Sequence, residues 1–272
     1  MSHTGEVLAA EGFHAPGPVD FFLPDFTDTS WNQPGYQVLL TKASLLLLLG
    51  AVVAYLFLAT TSRRGAVVPT KRQYLGEQAY TFVRNGIAQD IIGAKEYRRY
   101  VPLLVSLFFF VMVNNLFGIV PFLTFAPFSR VSFAYGLALL VWLIYNGVGI
   151  MHKGFFGYLK ATTVPSGVPA WILPLLVPLE FLSNILIRPV TLSLRLFANM
   201  FAGHLLLILF STGGAYLLIH ATGSPVLKPA GVLAFALGVA IGFLEIVVAL
   251  LQANVFTLLT AQYISGALAA DH

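Results

Sequence analysis

Cysteine is absent from the 272 residues, which excludes disulfides, thiolate metal sites, iron–sulfur clusters and cysteine nucleophiles. Charge is the second shortage. Asp, Glu, Lys and Arg make up 10% of the chain against 58% apolar residues, too few to clothe a soluble domain of this size in a charged shell. A bilayer must therefore be the main solvent. Basic residues are missing from positions 1–35, which carry Glu6, Glu11, Asp20, Asp25 and Asp28 but no Lys or Arg. That stretch predicts a retained acidic tail outside the cytoplasm, neither secretory signal nor transit peptide. No Gly-x-x-x-x-Gly-Lys-Ser/Thr occurs, so the P-loop route to ATP is closed. The net charge of +4 reflects loop topology and is no nucleic-acid signal.

What is present is a series of apolar tracts in a membrane domain spanning 36–272. Spans are predicted at about 38–60, 101–127, 131–151, 171–211 and 229–270, each long enough to supply the ~20 predominantly apolar residues that a bilayer core requires. Lys42 can snorkel outward near the first. Between the first two, Ser62 to Tyr100 carries Arg63, Arg64, Lys71, Arg72, Arg84, Lys95, Arg98 and Arg99, and by the positive-inside rule this loop is cytoplasmic. Leu75, Phe82, Ile87, Ile91 and Ile92 recur within it, predicting an amphipathic helix along that face, with a solvated loop as the plain alternative. His152, Lys153 and Lys160 mark a second cytoplasmic cluster, against Arg130 and Lys228 on the other side. Five crossings then leave the N-terminus outside and Asp271 and His272 inside. Asn114 and Asn115 stand in the second span as donors and acceptors for neighbouring helices.

The last two tracts are each about twice the ordinary length. At ~1.5 Å per residue, about 40 residues reach ~60 Å, more than the ~45 Å of a bilayer with its headgroups. Two short spans in each tract would solve this, but no basic, turn-rich loop divides either one, so the sequence favours two long tilted helices in one hairpin.

Inside these tracts lie charges that cost ~2.5–3.5 kcal/mol each at a span centre: Arg188, Arg195 and Glu245. Arg188, Thr191, Arg195 and Asn199 form one helical stripe, and Glu245 and Gln252 form another. His204 lies about 13 Å beyond Arg195 and points roughly away from it. A plain structural role would pair an arginine with Glu180 or Glu245, or His204 with Glu245; the sharper reading is an ion path. His204 and Glu245 are titratable and suit proton transfer, whereas the Arg195 guanidinium does not deprotonate and acts as a fixed charge.

The run Arg188-Pro189-Val190-Thr191-Leu192-Ser193-Leu194-Arg195-Leu196-Phe197-Ala198-Asn199-Met200-Phe201-Ala202-Gly203-His204 resembles the signature helix of the F-type ATP synthase a-subunit family. Asn115-Leu116-Phe117-Gly118-Ile119-Val120-Pro121 is similar to that family's Asn-Leu-x-Gly-x-x-Pro motif, and Glu245 with Leu251-Gln252-Ala253 extends the likeness to the last helix. The resemblance implies an all-α stator subunit of a bacterial cell membrane, packed against a ring of c subunits and b-type peripheral stalk subunits, with two half-channels carrying protons to and from a ring carboxylate. It implies no cofactor, no metal and no catalytic residue in this chain. By position, Arg195 would face the ring and hold the passing carboxylate ionised, with Gln252 beside it. His204 and Glu245, in the swapped order that some members show, would line the outer half-channel near Asn199. Glu180 resembles the acidic residue of the cytoplasmic half-channel but stands one residue out of register with Pro189. Ala198 replaces the usual Gly before Asn199. A secondary transporter would show inverted repeats and a haem subunit paired axial histidines; neither is found.

Overall fold

The computed structural model describes Gly17 and residues 42–62, 70–120, 123, 125–164, 171–220 and 227–269. The acidic tail 1–35 apart from Gly17, Arg63, Arg64, Pro121, Asp271 and His272 lie outside them. The fold among these residues is helical throughout. α1 is Lys42–Ser62, α2 is Lys71–Val83 prolonged by a π segment Arg84–Gln89 and a turn Asp90–Ile92, α3 is Tyr97–Leu116, α4 is Val131–Lys153 and α5 is Phe155–Thr163. α6 joins Leu173–Phe181, a π segment Leu182–Ile187 and Arg188–His220, and α7 is Leu227–Leu268. Five of the seven are long and apolar enough to cross a membrane, with α6 counted from Leu173 to Ile219.

Apolar side chains cover the outside as well as the inside. Leu48, Tyr55, Leu143, Phe243 and Leu251 are all exposed, as expected where lipid replaces water as the surrounding solvent. The interior is a strip of facing side chains: Leu104, Phe109 and Val111 of α3, Val141 of α4, Leu192 and Leu196 of α6, and Phe256 and Ile264 of α7. On α7 the buried residues Ala249, Gln252, Ala253, Phe256, Thr260 and Ile264 recur at the spacing of one helical face. Thr257 and Thr260 bond the carbonyls of Ala253 and Phe256 in their own helix, so neither hydroxyl faces the core bare.

α6 and α7 pack along each other as the hairpin expected of the two long tracts. Small residues let them close: a Cβ on Gly214 would stand 2.9 Å from the backbone nitrogen of Phe235. Backbone cannot retreat as a flexible side chain can, so Gly214→Val is expected to cost about 1–3 kcal/mol of hairpin packing. Membranes carrying Gly214→Val should hold less of the chain by immunoblot than native membranes do. Gly147→Ala is the control, because a Cβ there meets nothing within 4 Å, and it should leave the amount unchanged.

Three parts of the architecture differ from the sequence reading. The second span ends at Leu116, not near 127, because Gly118, a poor helix former, follows at once in an apolar run that hydropathy alone extends. The fourth span stays helical to His220, not 211, whereas α2 forms where the amphipathic helix is expected, with Ile87 buried, Ile91 and Ile92 against the core, and Leu75 and Phe82 exposed. Asn114 donates to Phe110 O of its own helix at 2.8 Å and packs on Gly50 of α1, and Asn115 bonds no neighbouring helix among the described residues.

Candidate functional site

The polar side chains of α6 and α7 gather into three groups along the hairpin. Toward the Lys153 end is a vestibule of about 230 Å³, lined by Glu180, Asn184, Arg188, Tyr158, Thr162 and Tyr263 among others. Asn184 Nδ2 donates to Glu180 Oε2 at 2.9 Å and to Thr162 O at 2.8 Å. The Arg188 guanidinium lies 5.2 Å from the centre of the Tyr263 ring, a distance at which the ring face attracts the cation. The π segment Leu182–Ile187 separates Glu180 from Arg188. A π turn takes in one more residue than an α turn, which matches the single-residue offset of Glu180.

The middle group lies on an open face. Arg195, Thr191, Ala198 and Asn199 are all exposed, and among the described residues Arg195 makes no ion pair. Pairing with Glu180 or Glu245 is therefore not what holds this arginine. Asn199 Nδ2 donates to Gln252 Oε1 at 2.8 Å, tying the arginine stripe to the α7 stripe. Gln252 is 3% exposed and its Nε2 has no hydrogen-bond partner among the described residues. Thr191 spends its hydroxyl on Ile187 O and Arg188 O of its own helix. Ala198 sits on the open face, so its small side chain spares space outside the hairpin, not between its two helices.

The third group surrounds a small cleft of about 10 Å³, room for roughly one water. Asn115, Gly118, Met200, His204 and Glu245 line it. His204 is 5% exposed and meets the Phe125 ring edge to face at 6.4 Å. Glu245 reaches across to Gly203, where an added Cβ would collide with its Oε1. The missing side chain at Gly203 is thus what admits the carboxylate between the helices. Asn115 is 1% exposed, and neither its amide nitrogen nor its oxygen has a partner among the described residues. The sequence reading assigns Asn115 to helix contacts and misses its place in this cleft; the available signal is an uncharged polar residue beside a Gly that opens space.

The vestibule and the cleft share no lining residue. Arg188 and His204 are sixteen positions apart on α6, about 24 Å along its axis. Arg195 lies between them and lines neither.

Comparison with known proteins decides the family. Residues 43–265 match the family model for the ATP synthase A chain. The chain belongs to the ATP synthase A chain family. It is similar to the ATP synthase subunit a of a Nocardioides species, 51% identical over 266 residues that cover 96% of this chain and 95% of that one. It is also similar to the ATP synthase subunit a of Rhodococcus erythropolis, 40% identical over 264 residues covering 97% and 94%. That of Streptomyces lividans is 40% identical over 261 residues covering 96% and 90%. The match to the ATP synthase A chain family reaches all five long helices, and Arg188, Arg195, His204, Glu245 and Gln252 fall inside the matched range.

Proposed function

We propose that this chain is the proton-carrying stator of a bacterial ATP synthase, forming two separate wet paths to and from a carboxylate on a rotating ring of c subunits. The observation that carries the reading is the exposed Arg195, without an ion pair among the described residues, set along α6 between a vestibule and a cleft that share no lining residue. A proton enters past His204 and Glu245, neutralises a ring carboxylate and rides the ring through lipid. It leaves through the vestibule of Glu180 and Arg188, and Arg195 keeps the returning carboxylate ionised. Asn199 and Gln252 hold the two helices in register beside the arginine, and Asn115 offers a site for water next to Glu245. Thr191 completes the face.

Proton flow supplies about 2.3 kcal/mol per charge for each 100 mV, so several steps must be summed by rotation before ATP is made elsewhere in the complex. The nucleotide chemistry is not in this chain. Its partners are the ring, b-type peripheral stalk subunits and the bilayer, and nucleic acid has no role. The basic loops face the cytoplasm with the N-terminus outside, as the charge asymmetry requires.

A cysteine cross-link tests the ring-facing surface, because the chain has no native cysteine. Ala198→Cys paired with a cysteine beside the ring carboxylate is expected to give an oxidised a–c product that stops ATP hydrolysis until reduced. No product from any position along the Thr191 to Asn199 face sinks the reading.

A further inference from the structure

The π segment of α6 is held from outside its own helix. The N–H of Arg188 bonds Ser183 O, five residues back, and the next residue, Pro189, has no N–H to give. Pro189 is the position that would serve Ile185 O in an α turn or Asn184 O in a π turn. Two side chains of α4 supply donors there. Trp142 Nε1 donates to Ile185 O at 2.8 Å, and Tyr145 Oη donates to Asn184 O at 3.1 Å. Tyr145 is buried, and its ring stands 5.3 Å from that of Tyr263, which carries Arg188.

The segment also sets direction. Eight α-helical steps of about 100° would leave Glu180 and Arg188 about 80° apart, whereas one inserted residue reduces the angle to about 20°. Both side chains accordingly line the same vestibule.

We propose that Trp142 and Tyr145 are positioning residues: by supplying the donors that Pro189 lacks, they hold the π turn Leu182–Ile187 and keep Glu180 on the face of Arg188. The consequence for proton exit rests on the function proposed above.

The test uses the whole ATP synthase in inverted membrane vesicles. Glu180→Cys reports the direction of position 180 through its labelling rate with a water-soluble maleimide, and Lys153→Cys on α4 reports that the vestibule stays open. Combining Glu180→Cys with Trp142→Phe and Tyr145→Phe is expected to slow labelling about fivefold for each hydrogen bond lost, with Lys153→Cys unchanged. Deleting the exposed Leu186 removes the extra residue and leaves seven α-helical steps between the two positions, which keeps them about 20° apart, so it is expected to restore fast labelling of position 180 beside Trp142→Phe and Tyr145→Phe. Trp142→Phe alone and Tyr145→Phe alone carry the test where the double variant does not assemble. Unchanged labelling of position 180 beside these substitutions, or slowed labelling that the deletion does not restore, overturns the proposal. Slowed labelling, with pumping intact when Trp142→Phe and Tyr145→Phe are made beside native Glu180, keeps the clamp and removes Glu180 from the proton route.

Discussion

ATP synthesis driven by a proton gradient is expected to fall at least ~10²-fold when Arg195 becomes Gln, the scale on which a preorganised charge acts in a dry site. The substitution keeps polarity and much of the length and removes the cation. Arg195 is exposed on the open face of α6, with no ion pair among the described residues. A charge held there without a partner is costly, and under the proposed function the cost is offset when an ionised carboxylate of the rotor comes opposite. Without the cation, nothing favours release of the proton at that point, and nothing repels a proton passing straight from one wet path to the other. Arg195→Lys keeps the charge but loses the planar fork, so it is expected to retain less activity than the native chain and more than Arg195→Gln. ATP synthesis in inverted vesicles, normalised to the amount of assembled complex, measures both.

Glu245→Gln is expected to reduce ATP-driven proton pumping by about 10²–10⁴-fold, the usual worth of a positioned acid–base group. Glu245 occupies a notch that Gly203 leaves open and shares a one-water cleft with His204 and Asn115. Gln fills the same notch and can still bond water, but it cannot take up and pass on a proton. Assembly should therefore be normal while pumping is not. Asn115→Leu fills the cleft without changing any charge and is expected to slow pumping less than Glu245→Gln does. Quenching of a pH-sensitive dye during ATP hydrolysis reads both variants.

Much of this arrangement is legible in the amino-acid order. α1, α4 and α7 follow from long, predominantly apolar runs, and the hairpin follows from tract length against bilayer thickness. Helical spacing and the cost of polar groups in lipid single out Arg195, Asn199 and Gln252, and Asn199 and Gln252 meet directly. The end of α3 is not legible, because Phe117 to Phe128 is about as apolar as the helix before it. α5 is only nine residues long, too short for a periodic pattern to register. The π turn leaves no trace in periodicity at all. Its two signals are Pro189, which must orphan a carbonyl, and the one-residue displacement of Glu180. Asn115 reads as a link between helices because sequence shows that a side chain is polar, not which way it points.

The most direct measurement is passive proton flux through vesicles stripped of the nucleotide-binding sector, comparing the native chain with Arg195→Gln. A fixed cation that separates two wet paths predicts faster flux in Arg195→Gln, abolished when Glu245→Gln is added. Flux equal to that of the native chain contradicts the account.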